Sequence, residues 1–364
     1  MNTQRFWISC IILIALVVFI HFFSASSVDV ETTYSTGIYP GFASALRLFS
    51  GWIPFSIGDL LYGLFGLWLL WKLVKVVMAI IHKKVSKIAC TRGFQKSILL
   101  VLTLYVLFNL FWGINYNRQG ITKQLYLKTD TIGFADIKDL SFLLVEKLNL
   151  TKKYLVNKNI SYPSNSGIFK RVEAAYAKAK DSLPFLNYQN ISIKPSLWGW
   201  LGNYMGFTGY YNPFTGEAHV NTTAPKFLLP FIACHEVAHQ VGYARENEAN
   251  SVGYLAALYS SDSLLLYSAY FDLYNYASRE FALQSFLRKD TSGLHLLKTQ
   301  LSPEVKADFK EMFAYFQKHR NPVEPFIRKG YSFYLRNNNQ PGGIRSYDEV
   351  LGFMVAFYKK YGRL

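Results

Sequence analysis

The chain has 364 residues, a formal net charge of +16 at pH 7, and a composition 51% hydrophobic and 17% aromatic. So much apolar residue excludes a disordered chain, and the length allows one large domain or two smaller ones, each able to bury a core. The basic excess raises nucleic acid as a partner, and the placement of the charge decides that question.

Three apolar stretches fill the first third. The first follows Arg5 and runs from about Trp7 to Phe23. It resembles a signal-peptide core, but it is long and lacks a convincing small-residue cleavage site, so an uncleaved anchor is expected. The second runs from about Ile53 to Ile81, interrupted by Asp59, Lys72 and Lys75, and the third from about Ile98 to Ile114. Each supplies close to the ~20 apolar residues that a bilayer core requires. The expectation is a membrane region over residues 1–115 with three transmembrane helices, at about 7–23, 55–81 and 98–114.

Lys83, Lys84, Lys87, Arg92 and Lys96 lie between the second and third stretches with no acid among them. Short basic loops stay cytoplasmic. The expected topology at the cytoplasmic membrane therefore has the N-terminus inside, residues 24–51 as an outside loop, and everything after Asn115 outside. Lys72 and Lys75 fit as snorkelling residues, and Asp59, near the outer end of its span, needs a partner or the interface. Topology thus accounts for the densest basic run. No nucleic-acid motif follows it, so the expected partners are the bilayer and a peptide or protein substrate, not nucleic acid. Of Cys10, Cys90 and Cys234, only the last falls in the outer domain, which excludes an internal disulfide there. The oligomeric state is not legible.

Residues 116–364 read as a globular, helix-dominated α+β domain. Helical periodicity covers about Ile137–Leu148 and Phe169–Leu183, with a loop over 157–167. In GYYNPFTGEAHVNTTAP, Pro213 and Gly216 mark a turn and Glu217 to Asn221 alternate as a strand. Glu217, His219 and Asn221 share one face: a solvated strand, or an edge strand beside a site that pairs with extended substrate. Tyr204, Tyr210, Tyr211 and Phe214 read as core. Further helices are expected from Phe231, over Ser263–Lys289, Pro303–Lys318 and Tyr347–Tyr361, with a loop over Gly330–Tyr347. His295 and His319 read as solvated.

HEVAHQVGYARENEAN, His235 to Asn250, carries the chemistry. On a helix, His235 and His239 are about 40° apart around the axis and ~6 Å apart along it, so both imidazoles can grip one ion. Glu236 is rotated away and is the candidate base for a zinc-bound water. Gly242 allows the chain to turn, after which Glu246 or Glu248 offers a third ligand. A simple hairpin centred near Tyr243 favours Glu248. Candidates for an oxyanion donor are Tyr331, Tyr334 and Tyr347, with His219 and Arg345 behind them.

HEVAH…ENEAN resembles the gluzincin zinc peptidases, thermolysin-like enzymes among them, which carry the third ligand in a Glu-x-x-x-Asp/Asn pattern. The resemblance implies a zincin-like domain with Glu246 as ligand and Asn250 supporting a ligand histidine. The apolar helices, FTGEAHVN, HExxHxxGxxxExEAN and a late YLR…SY segment together resemble an uncharacterised bacterial family of unknown function, across nearly the whole chain. The expected function is a membrane-anchored zinc metallopeptidase acting outside the cytoplasmic membrane. The alternatives are a non-catalytic zinc-containing envelope sensor or assembly factor, or a zinc hydrolase of a non-peptide amide. An intact Glu236 argues against the non-catalytic reading, since a structural site needs no base.

Overall fold

The computed structural model describes residues 3–129, 132–340 and 347–364. The chain is mostly helical with one small sheet. Three helices are long and apolar enough to cross a membrane: α1 (Thr3–Ser24), α3 (Ile57–Ile81) and α4 (Lys87–Phe111). Between α1 and α3, residues 24–51 are not the expected loop. A wide-turn helix over Val30–Ile38 runs into α2 (Tyr39–Gly51). The basic stretch is likewise mostly helical, since α4 begins at Lys87 with Ser86 accepting from the Ala89 N–H.

The rest of the chain surrounds a large apolar core built on α5 (Phe134–Asn157), α6 (Asn165–Ser182), α8 (Leu229–Gln240), α9 (Glu246–Ser260), α10 (Ser263–Leu287) and α14 (Tyr347–Tyr361). α5 extends well beyond the periodicity read for it. α11 (Ser292–Thr299) and α12 (Pro303–Lys318) add Leu297, Val305 and Met312 to that core, and α13 (Glu324–Asn337) lies outside it. α13 corrects the expected loop over Gly330–Tyr347, whose first eight residues are helical.

The sheet has three strands, β1 (Ile193–Pro195), β2 (Gly209–Asn212) and β3 (Glu217–Val220), in the order β1-β3-β2. A short helix, α7 (Gly199–Met205), links β1 to β2. β3 pairs in parallel with β1 and antiparallel with β2. It is therefore the central strand, which removes the expected role of Glu217–Asn221 as an edge for substrate. Both sides of its backbone are already paired.

Instead, β3 anchors α3. Glu217 accepts from the Ile57 and Gly58 N–H groups at 3.1 and 2.6 Å, at the start of α3. His219 Nε2 meets Ser56 Oγ at 2.8 Å. Asp59 is fully buried, accepting from Leu197 N–H at 2.6 Å and from the Tyr210 hydroxyl. These are the partners that an acid at the head of an apolar helix requires.

A second, smaller core joins the N-terminal third to the rest. It gathers Ile20, Val30, Tyr34, Tyr39, Val106 and Trp112 with Tyr211 and Ala244. Packing therefore crosses residue 116, and the apolar helices and the globular part meet through side chains rather than a linker.

Candidate metal centre

α8 is apolar on almost every side, with ten of its twelve residues buried, as a helix inside a core must be. Its buried polar groups all need accounting. Gln240 is fully engaged: its side chain donates to Ser192 and Gly216 carbonyls at 3.0 and 2.7 Å and accepts from the Tyr188 hydroxyl at 2.7 Å. Its own carbonyl accepts from Tyr39 and Arg47 at 3.0 and 3.1 Å. The segment 39–51 thus holds the C-terminal end of α8.

The helix stops at Gly242, whose φ of +93 only glycine adopts readily. A Cβ there would also lie 3.1 Å from the Tyr39 ring. The Gly242 and Tyr243 N–H groups close the end by donating to His239 and Ala238 carbonyls at 3.0 and 3.1 Å. Arg245 is extended, and α9 begins at Glu246. The first helical residue is therefore the one that returns to the histidines.

His235, His239 and Glu246 place one ligand atom each within 4.8 Å of one another. Glu246 Oε2 is 3.2 Å from His235 Nε2, and Oε1 is 3.8 Å from His239 Nε2. Each imidazole is held by its other nitrogen. His235 Nδ1 donates to Asn250 Oδ1 at 2.8 Å, and His239 Nδ1 to the Tyr243 carbonyl at 2.7 Å. Both Nε2 atoms thereby present lone pairs, and they face each other across 3.2 Å. Two lone pairs and a carboxylate at that spacing call for a positive charge between them, a proton or a metal cation. For His235, burial disfavours that charge, but the hydrogen bond to Glu246 and its carboxylate outweigh burial and raise the pKa to about 9. For His239 burial wins, lowering it to about 4.

Glu236 is buried beside this group, and among the described residues its Oε2 has no hydrogen-bond partner. Burial pushes its carboxyl up to about 8. Its other face is β2: a Cβ on Gly209 would lie 2.4 Å from Glu236 Oε1. Glycine at 209 is what lets strand and carboxylate approach.

Glu248, the other candidate ligand, is not in the group. It is buried 3.7 Å from Arg245 and lines a cavity of about 330 Å³ with Arg118 and Gly120. Burial raises its carboxyl to about 7. Of the oxyanion candidates, Tyr331 reaches the centre, its hydroxyl donating to Glu246 Oε1 at 2.5 Å. The Tyr334 hydroxyl is 3.3 Å from that of Tyr116, one step removed. His219 is buried at the head of α3, and Asn221 contacts Asn203, so neither reaches the centre. Arg345 and the side chain of Tyr347 lie outside the described residues.

Tyr204 is exposed, and Tyr210 and Phe214 lie against α3 and α4, leaving Tyr211 alone as core of that group. His295 is exposed as expected, whereas His319 packs between Tyr204 and Tyr315. Trp112 was not foreseen. It donates to the His239 carbonyl at 3.2 Å and packs edge-on to its ring.

A family model described as a protein of unknown function (DUF3810) matches residues 34–355. The chain belongs to that family. No curated protein and no solved structure matches it. In this DUF3810 member the matched region takes in α3, α4, the sheet and both helices of the candidate centre. The family description assigns no activity.

Proposed function

We propose that this chain is a membrane-anchored zinc metallopeptidase, with α1, α3 and α4 as its spans and the rest of the chain outside the cytoplasmic membrane. The observation that carries the reading is the convergence of His235, His239 and Glu246 beside an unpartnered, buried Glu236. Two neutral imidazoles and one carboxylate are the donor set of many catalytic zinc sites. His235, His239 and Glu246 would hold Zn2+, and Asn250 and the Tyr243 carbonyl fix the two rings. When bound, the ion would supply Lewis acidity, bringing a water's pKa near neutrality and polarising a carbonyl.

Glu236 takes the proton of the attacking water and later delivers it to the leaving amine. Burial favours the protonated carboxyl that delivers a proton, and a cation at the centre would favour the carboxylate that takes one. The Tyr331 hydroxyl, next to Glu246, is the donor to the oxygen that gains charge. Substrate lies extended along the edge of β2 rather than β3, because β2 adjoins Glu236 and has β3 on one side only. The arrangement of motif helix, turn, ligand helix and neighbouring strand resembles a zincin-like domain. The orientation rests on the basic residues between α3 and α4, at the end of the apolar helices remote from the metal centre.

The test is Glu236→Gln in the full chain, assayed on a peptide library. The variant is expected to retain metal and lose cleavage. Unchanged cleavage would contradict the mechanism.

A further inference from the structure

Two surface helices expose the side chains that a soluble helix buries. On α7, glycines face the domain: a Cβ at Gly199 would lie 2.6 Å from Asn221 Oδ1, and one at Gly202 2.8 Å from the Phe207 ring. The outward residues are Trp200, Leu201 and Tyr204, with Trp200 57% exposed. On α13, Leu335 is buried, while Phe326 and Phe333 are 72% and 65% exposed. Seven residues apart, these two share the face opposite Leu335. Arg328, Lys329 and Arg336 are exposed around them. Contiguous exposed apolar surface edged by basic residues calls for a partner that is oily and anionic at its rim.

The neighbours of these helices identify that partner as the bilayer. The Trp198 indole, leading into α7, donates to the Asp59 carbonyl at 3.1 Å, and a Cβ at Gly63 would lie 3.0 Å from its ring. Gly63 is six residues, about 9 Å, into the apolar helix α3. Tyr334 of α13 lies 6.3 Å, ring to ring, from Phe108 in the last turn of α4. Both helices thus flank the ends of α3 and α4, at the depth where hydrocarbon gives way to headgroups.

The metal centre is at the same level. Trp112, the residue after α4, bonds the His239 carbonyl. Tyr62, in the second turn of α3, stacks with Tyr210 of β2 at 6.3 Å, next to Gly209 and Glu236. Moreover, α1 and α4 pack on each other, whereas none of the most apolar 18-residue window of α3 is buried.

We propose that α7 and α13 lie in the headgroup layer, so that the free edge of β2 beside Glu236 faces the membrane surface and takes polypeptide next to its own membrane anchor. This rests on the peptidase reading for its chemistry and adds the substrate class. Only one Trp side chain and one hydrogen bond separate the end of α4 from His239. An extended substrate at about 3.3 Å per residue therefore reaches Glu236 roughly three to five residues beyond the membrane.

Two measurements on the full chain in phosphatidylcholine–phosphatidylglycerol vesicles test this. First, an environment-sensitive fluorophore is attached at Leu201→Cys or Phe333→Cys in a Cys90→Ser background; Cys10 and Cys234 are buried. Lipids spin-labelled near the headgroup should quench both positions, and unquenched emission at both overturns the proposal. Second, single-span reporter proteins with randomised outer flanks are compared with the same flanks as free peptides. Cuts confined to the residues next to the span, with the free peptides cut about tenfold or more slowly, support it. Phe326→Ser/Phe333→Ser should lose that preference while keeping the free-peptide rate. Cuts spread along the flank, or equal rates for free and tethered flanks, overturn this inference and leave the peptidase standing. Failure of the zinc-loaded wild type to cut either substrate brings down the peptidase reading, and this inference with it.

Discussion

Replacing Asn250 by alanine removes one contact from the proposed metal centre without touching a proposed ligand. Asn250 is buried, one turn into α9, and its Oδ1 accepts from His235 Nδ1 at 2.8 Å. That bond fixes the tautomer whose Nε2 lone pair faces His239 and Glu246. Without it the ring can rotate, and its buried N–H loses a partner. Loss of such a supporting hydrogen bond costs about 10–100-fold in metal affinity, or ~1.4–2.7 kcal/mol. Zinc competition against a chromophoric chelator, on the purified full chain, would read this directly. Asn250→Asp keeps an acceptor and should bind at least as tightly as the wild type. His235 thus becomes the weak ligand in the alanine variant only. If Asn250→Ala binds zinc as tightly as the wild type while melting at the same temperature, the second nitrogen of His235 does not position it, and the reasoning fails.

Gly209→Ala should lower kcat with metal content unchanged, because its Cβ would sit 2.4 Å from Glu236 Oε1 and displace the base. Tyr331→Phe should retain metal and lose about 10²–10³ in kcat if its hydroxyl donates to the developing oxyanion; an unaffected kcat removes it from the mechanism. Asp272, behind His235, offers a pH prediction. Burial raises its folded pKa to about 6, above the ~4 of an unfolded chain, even though the Tyr254 hydroxyl donates to it at 2.8 Å. The folded state therefore holds the proton longer, and this group's contribution to stability falls as pH rises from about 4 to about 6. The penalty approaches ~3 kcal/mol at its upper bound. Thermal midpoints in detergent should show Asp272→Asn gaining on the wild type across that window, and parallel pH profiles would refute the assignment.

The sequence made the helix of the HExxH motif legible because its pattern is local. Two histidines and a glutamate in five residues prescribe their own geometry once helical. The acid that joins the histidines is not prescribed in this way. Counting residues around a symmetric hairpin favours Glu248, but the chain closes α8 tightly at Gly242 and starts α9 at Glu246. The likeness to gluzincins points to Glu246, the acid that this turn brings beside the two histidines.

What stayed hidden lies between residues far apart in the chain. Tyr39 bonds the carbonyl of Gln240, 201 residues away, and nothing near either residue announces the other. For the same reason residues 24–51 read as a loop: their helices are stabilised by side chains of the globular part, including the Arg118–Glu31 pair at 2.7 Å. β1 and β2, of three and four residues, are too short for a period-two pattern to stand out. Without them β3 could not be recognised as a central strand.

The metal content of the purified full chain bears most directly on the central claim. One zinc per chain is expected in the wild type, in Glu236→Gln and in Glu248→Gln, and loss of it in His239→Ala and Glu246→Gln. A wild-type chain that takes up no zinc, or a Glu246→Gln variant that holds it as firmly as Glu248→Gln does, would contradict the proposed metal centre and the peptidase reading that depends on it.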